Sequence, residues 1–202
     1  MKPIFFYFSA IVFFASCSNG GKKILLMSKG KATVDKEAKT ITVESGTSHE
    51  EQTIDISDAG NLTMQVTTPA GKNSVEITGN GYYVLNAKTD TIIGAYQSYG
   101  APPTETRTIT QEDLKHRIDS VQQLLNGNAS AANKTFYILP GKAAKITDNL
   151  DATLVGPFNS LTSLEQTDNT KPEVYKFYTT KDVRETLGRL QKMTVAPPSP
   201  NQ

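Results

Sequence analysis

The chain has 202 residues, with 21 Lys and Arg against 20 Asp and Glu and a formal net charge of +1. That near-balance argues against the strongly basic face a nucleic-acid partner requires. A single cysteine rules out an intrachain disulfide framework, and the length suits one domain with a real core or two small ones.

Residues 1–16 read as a signal peptide. Lys2 supplies a positive charge, and Ile4 to Phe14 form an apolar run of about a dozen residues, where a bilayer span needs roughly 20. Ala15 and Ser16 lead to Cys17, the lone cysteine. Phe14-Ala15-Ser16-Cys17 resembles a bacterial lipobox, with Phe where Leu is commoner. The resemblance implies cleavage before Cys17, diacylglycerol on its sulfur and acylation of the new amino terminus, palmitate being the expected chain. Two or more acyl chains hold a membrane stably where one short chain does so marginally. The expectation is lipidation at Cys17 and anchoring at the cell envelope. Residues 17–22 form a short polar tether (Ser18-Asn19-Gly20-Gly21), and Lys22 and Lys23 follow it. The acidic run common after the cysteine of surface-exported lipoproteins is missing, which points to the outer membrane facing the periplasm.

Residues 23–100 read as β-rich. Ile24 to Met27 are apolar. Ile41 and Val43 alternate with Thr42 and Glu44, Ile54 with Ile56 shares one face, and Leu62, Met64 and Val66 alternate with Thr63, Gln65 and Thr67. Val75 and Ile77 repeat the pattern. A period of two rich in Val, Ile and Thr is the signature of half-buried strands. Asp58-Ala59-Gly60-Asn61, Pro69-Ala70-Gly71 and Gly79-Asn80-Gly81 are turns. Tyr82 to Leu85 and Thr91 to Gln97 are expected to form a hairpin around Asn86-Ala87-Lys88-Thr89-Asp90. Pro102-Pro103 marks the internal boundary.

Residues 104–194 read as an α+β part, packed with the β-rich part as one domain. Thr110 caps a helix whose first turn carries Glu112 and Asp113, and Leu114, Ile118, Val121 and Leu125 form its buried stripe. Strands follow at Phe136 to Leu139, Ala144 to Ile146, Thr153 to Val155 and Glu173 to Tyr178. Thr180 is expected to cap a final helix with Val183, Leu187 and Leu190 inward. Residues 195–202 read as a disordered Pro-rich tail. The predicted class is α+β, mainly β: an antiparallel strand-rich N-terminal part, then a helix, further strands and a C-terminal helix.

Phe136-Tyr137-Ile138-Leu139-Pro140-Gly141, Lys145-Ile146-Thr147-Asp148-Asn149, Val155-Gly156-Pro157-Phe158 and Pro172-Glu173-Val174-Tyr175-Lys176-Phe177-Tyr178 resemble uncharacterised envelope lipoproteins of Bacteroidota-type bacteria. The resemblance implies an envelope location and supplies no mechanism.

No catalytic constellation, cofactor motif or metal motif emerges. Glu112, His116 and Ser120 share one helix face, but His116 lies about 200° round the helix from the buried Leu114, on the solvent side. His49 sits in the polar stretch Ser45 to Glu51, read as a solvated loop without zinc spacing. Asp55 to Asn61 and Asp148 to Asp151 lack the bidentate acid of a calcium loop and read as Asx turns. Aromatic residues are the better clue: Tyr82, Tyr83, Tyr96 and Tyr99 form the candidate binding set, against the alternative that they fill a sheet face and its rim, since strands are rich in tyrosine. The leading expectation is a non-enzymatic, lipid-anchored protein that contacts an envelope protein partner. A glycan-binding module using the hairpin tyrosines and a hydrolase with a site assembled from distant loops are the alternatives.

Overall fold

The computed structural model describes residues 20–58, 60–97, 110–159 and 172–195. Twelve strands and two helices fall within them: β1 Lys22–Lys29, β2 Ala32–Asp35, β3 Thr40–Val43, β4 His49–Ile56, β5 Leu62–Thr68, β6 Gly71–Ile77, β7 Gly81–Ala87, β8 Ile92–Gln97, α1 Gln111–Leu125, β9 Thr135–Ile138, β10 Lys142–Thr147, β11 Thr153–Val155, β12 Val174–Thr179 and α2 Thr180–Val195. The fold is α+β and mainly β.

Three four-stranded sheets stack in layers. The central sheet has the order β10-β7-β1-β4, one flanking sheet β2-β3-β5-β6 and the other β11-β12-β8-β9. Most pairs are antiparallel, but β1–β7, β3–β5 and β11–β12 are parallel. The chain returns repeatedly to the central sheet, and β10 from the second half pairs there with β7 from the first. The two halves therefore share hydrogen-bonded sheets.

The central sheet is covered on both faces. Ile24, Leu26, Ile54, Tyr83 and Leu85 pack against Ile41, Val43, Leu62, Met64, Val66, Val75 and Ile77 of the first flanking sheet. Leu25, Met27, Tyr82 and Val84 point the other way, against Ile92, Phe136, Ile138, Tyr175 and Phe177 of the second. All seven residues of β7 are buried. A strand covered on both faces reads as a continuous apolar run rather than an alternation, which is why Ile24 to Met27 and Tyr82 to Leu85 carry no period of two. Each fully buried Leu, Ile or Met contributes roughly 1.5–3 kcal/mol relative to exposure. The first flanking sheet turns its other face to water, so β5 alternates buried Leu62, Met64 and Val66 with exposed Thr63 and Gln65.

The helices cover the outer face of the second flanking sheet. Ile93, Ala95 and Tyr178 face Val121, Leu124 and Val183 across a cleft of about 250 Å³. Thr110 caps α1 through a reciprocal capping box with Asp113. The cap of α2 is Thr179 rather than Thr180: its hydroxyl accepts from the Asp182 amide at 3.1 Å, and the Asp182 carboxylate accepts from the Thr179 amide at 3.1 Å.

Other corrections have physical causes. Tyr82–Leu85 and Thr91–Gln97 are strands but not a hairpin. β7 spends one edge on β1 and the other on β10, so β8 has no free edge to join and crosses to the next sheet, between β12 and β9. Asn86 steers the crossing. Its Oδ1 accepts from the Lys88 amide at 3.0 Å, and its Nδ2 donates to Asp90 O at 2.8 Å and Ile138 O at 2.9 Å. Lys22 belongs to β1 rather than to the tether, and its ammonium donates to Asp58 O at 2.6 Å. His49 opens β4 rather than sitting in a loop, because it pairs with Lys29. Short β2 escaped notice, having only Ala32 and Val34 inward. Gly30 turns the chain between β1 and β2 at φ 100°, where a β-carbon would strike the Glu44 carbonyl. No helix among the described residues is long and apolar enough to cross a membrane.

Candidate functional site

β1 runs from Lys22 to Lys29, and its neighbours give the central sheet two distinct ends. Lys22 aligns with Gly81 and Ile56 at the tether end. Lys29 aligns with His49, and Ser28 with Ala87, at the other. The second flanking sheet brings Ile92, Ile138 and Thr179 to that same far end. Eight residues of strand separate the two ends by about 25 Å.

The far end collects chemistry that no local motif announces. The His49 ring stacks on Phe158 with centroids 3.8 Å apart and planes 10° apart. The Lys88 ammonium lies 4.3 Å from the centroid of that same Phe158 ring. Phe158 thus contacts both a histidine and a lysine while 49% of its own surface stays exposed. Glu51, two residues along β4, accepts from Asn159 Nδ2 at 2.5 Å and from the Phe158 amide at 3.4 Å. Gly156 makes room for that carboxylate, which a β-carbon at 156 would strike. Lys176 of β12 ties the same loop down, donating to Gly156 O at 2.7 Å and Asn159 O at 2.5 Å.

Lys88 is the exception among these groups. It is 5% exposed, and its Nζ has no hydrogen-bond partner among the described residues. Burial pushes its amine below the ordinary lysine value, against the opposing pull of Asp90, Glu51 and Asp182, with Lys29 adding to the depression. Burial also lowers the His49 imidazole, helped by the charges of Lys88 and Lys29 and opposed by Asp90. Burial lowers Lys176 too, with Glu51 and Asp182 opposing.

A cavity of about 390 Å³ adjoins this cluster, lined by Lys29, Gly46, Pro69, Asn73, Lys88 and Pro140 among others. Leu139, 49% exposed, leads into its Pro140-Gly141 rim. Leu139 and Phe158 thus put exposed apolar surface at the same end of the stack.

The sequence-derived candidates lie elsewhere. Tyr82 and Tyr83 are core residues, 5% and 4% exposed, on opposite faces of the central sheet. The Tyr83 hydroxyl donates to Thr78 O at 2.5 Å, and burial raises both phenols. Neither ring offers a face for stacking on a glycan. Tyr96 is half-buried, edge-on to Tyr175 at 5.7 Å, with the Lys134 ammonium 4.4 Å from its ring centroid. Tyr99 and Cys17 lie outside the described residues. His116 faces solvent with Glu112 3.8 Å away, and the Ser120 hydroxyl donates to the His116 carbonyl at 2.8 Å, so the column forms no relay. Asp58 and Asn149 close Asx turns onto Gly60 and Asp151. Among the described residues no three His, Cys, Asp or Glu side chains converge as metal ligands.

Lys88, Glu51, Phe158 and Lys176 were not legible as a site. Each comes from a different segment, and a lysine after a strand carries no sign that it will be buried. Comparison with protein-family models, with characterised proteins and with solved structures finds no match for this chain.

Proposed function

We propose that the protein is a non-enzymatic, lipid-anchored component of the cell envelope that contacts an envelope protein through the far end of its sheet stack. The supporting observation is polarity. The chain enters the fold at Lys22, at one end of β1, while Leu139, Phe158 and the 390 Å³ cavity gather at the opposite end. Acyl chains on Cys17 hold the tether end at the membrane, on the periplasmic side of the outer membrane. The far end then stands about 25 Å outward, free to meet a partner.

Two measurements test this. Mass spectrometry of the mature protein should find an amino-terminal, acylated Cys17, and Cys17→Ser should release the protein from membranes. A photo-crosslinking residue at Leu139 should yield one reproducible protein adduct in intact envelopes, and the same residue at Asp148 should not. An unmodified thiol at 17, or identical adducts from both positions, would overturn the reading.

A further inference from the structure

We propose that Lys88 is a carbonyl-reactive amine, whose Nζ forms a reversible imine with an aldehyde or ketone entering where the Phe158 ring now lies. This inference does not depend on a protein partner at the far end.

The fold treats its other buried lysines differently. Lys22, 2% exposed, gives its ammonium to Asp58 O at 2.6 Å. Lys176, half-buried, gives its own to two carbonyls, Gly156 O and Asn159 O. Lys88 is nearly as buried as Lys22, yet its Nζ has no hydrogen-bond partner among the described residues. An ammonium has three N–H donors, and burying it with no acceptor is expensive, a cost that the Phe158 ring face offsets only in part. Burial therefore raises the share of Lys88 that is unprotonated and nucleophilic, while the share that stays charged still acts on His49. The charged groups around it are Asp90, Glu51, Asp182 and Lys29, with His49 across the Phe158 ring. Of these carboxylates Asp90, two residues along the chain, pulls hardest, and Glu51 is already engaged with Asn159 and the Phe158 amide.

The half-exposed Phe158 ring lies over the amine, its centroid 4.3 Å from Nζ. Phe158 rests on His49 by stacking, and its backbone amide makes only a long 3.4 Å bond to Glu51. Rotating that side chain outward would take the ring off Nζ without disturbing a strand, since Phe158 follows β11. The adjoining cavity of about 390 Å³ borders residues 87–89 and gives space beside the amine.

The chemistry balances without oxidant or reductant. The Nζ lone pair adds to the carbonyl carbon, forming the C–N bond while the C=O π pair moves to oxygen. The nitrogen loses a proton and the oxygen gains one, giving a carbinolamine. The nitrogen lone pair then forms the C=N bond as the C–O bond breaks, and the hydroxyl leaves with the second N–H proton as water.

The test uses the full chain, propanal and sodium cyanoborohydride at pH 8, with peptide mass spectrometry. Lys181, whose side chain is 84% exposed, serves as internal reference. Lys88 should be propylated several-fold faster than Lys181, in the wild type or once Phe158→Ala removes the cover, and Lys88→Arg should abolish the fast site. Circular dichroism establishes that the variant is folded, and Phe158→Leu replaces it if it is not. Modification of Lys88 no faster than Lys181 in both the wild type and the folded Phe158 variant would overturn the proposal.

Discussion

Asn86, in the central sheet, donates its Nδ2–H to the carbonyl of Ile138 in the neighbouring sheet, 2.9 Å away and wholly out of contact with water. The same amide bonds Asp90 O and the Lys88 amide, so one side chain welds two sheets and fixes the crossing between them. Asn86→Leu leaves three backbone groups without their partner, each worth roughly 1–3 kcal/mol when buried and unpaired. One of them, Asp90 O, is only part-buried and recovers some of that from solvent. The expected loss is about 3 kcal/mol in chemical denaturation. A loss below about 1 kcal/mol would mean that the crossing is held by packing alone.

Glu173 carries a pH dependence. Burial alone would raise its carboxyl, but hydrogen bonds from Tyr175 at 2.6 Å, Asn149 and Thr147, with Lys134 3.8 Å away, outweigh it and leave the pKa lowered. A lowered folded value adds stability above the unfolded carboxylate range, about pH 4, and that stability disappears as pH falls through the folded value. Glu173→Gln should therefore flatten the stability profile below about pH 4, measured by thermal melts across pH. A profile identical to wild type would remove Glu173 from the account. The partner phenol is pushed up by burial and by the carboxylate.

The His49 imidazole should titrate below its usual value of about 6.5 in NMR. Burial is the larger cause and the Lys88 charge the next. Lys88→Gln should move the titration part of the way back up. Because the folded state resists protonation, wild-type stability falls as pH drops from about 6.5 toward the folded value, and it should fall less in the variant. An unmoved titration would separate the two groups electrically.

Gly156 admits the Glu51 carboxylate where no β-carbon fits. Gly156→Ala should displace Glu51 from Asn159 and the Phe158 amide, at a cost of about 1–3 kcal/mol for the forced shift. The His49 ring resonances should move with it, since Phe158 stacks on that ring. Stable protein with unchanged His49 resonances would show that the loop yields freely.

The two threonines at the start of α2 are distinguishable. Thr179→Ala removes the hydroxyl that accepts from the Asp182 amide and should cost about 1 kcal/mol, whereas Thr180→Ala should cost only a few tenths. Equal losses in urea denaturation would place the cap elsewhere.

How much was readable depended on the surroundings of each residue. Leu62, Met64 and Val66 announced β5 because one face of that sheet meets water and the other meets the core. Thr110 and Asp113 announced α1 because a capping box lies within four residues of chain. Val174, Lys176 and Tyr178 against Tyr175 and Phe177 divided β12 into its two faces as the pattern implied. Tyr82 and Tyr83 left two readings open, a binding surface or a filled sheet face, and the covering of both faces of their strand decides for the second.

Local chemistry therefore determined the place of most strands and of both helices, and that the chain is α+β with more strand than helix. Tertiary structure decided which strands are neighbours, that the central sheet is buried on both sides, and that Lys88 is sealed beneath Phe158 beside His49 and Glu51. Periodicity and capping act over a few residues, so they are written in sequence. Strand pairing, and the desolvation of a charged side chain, depend on segments up to a hundred residues apart, and exist only once those segments meet.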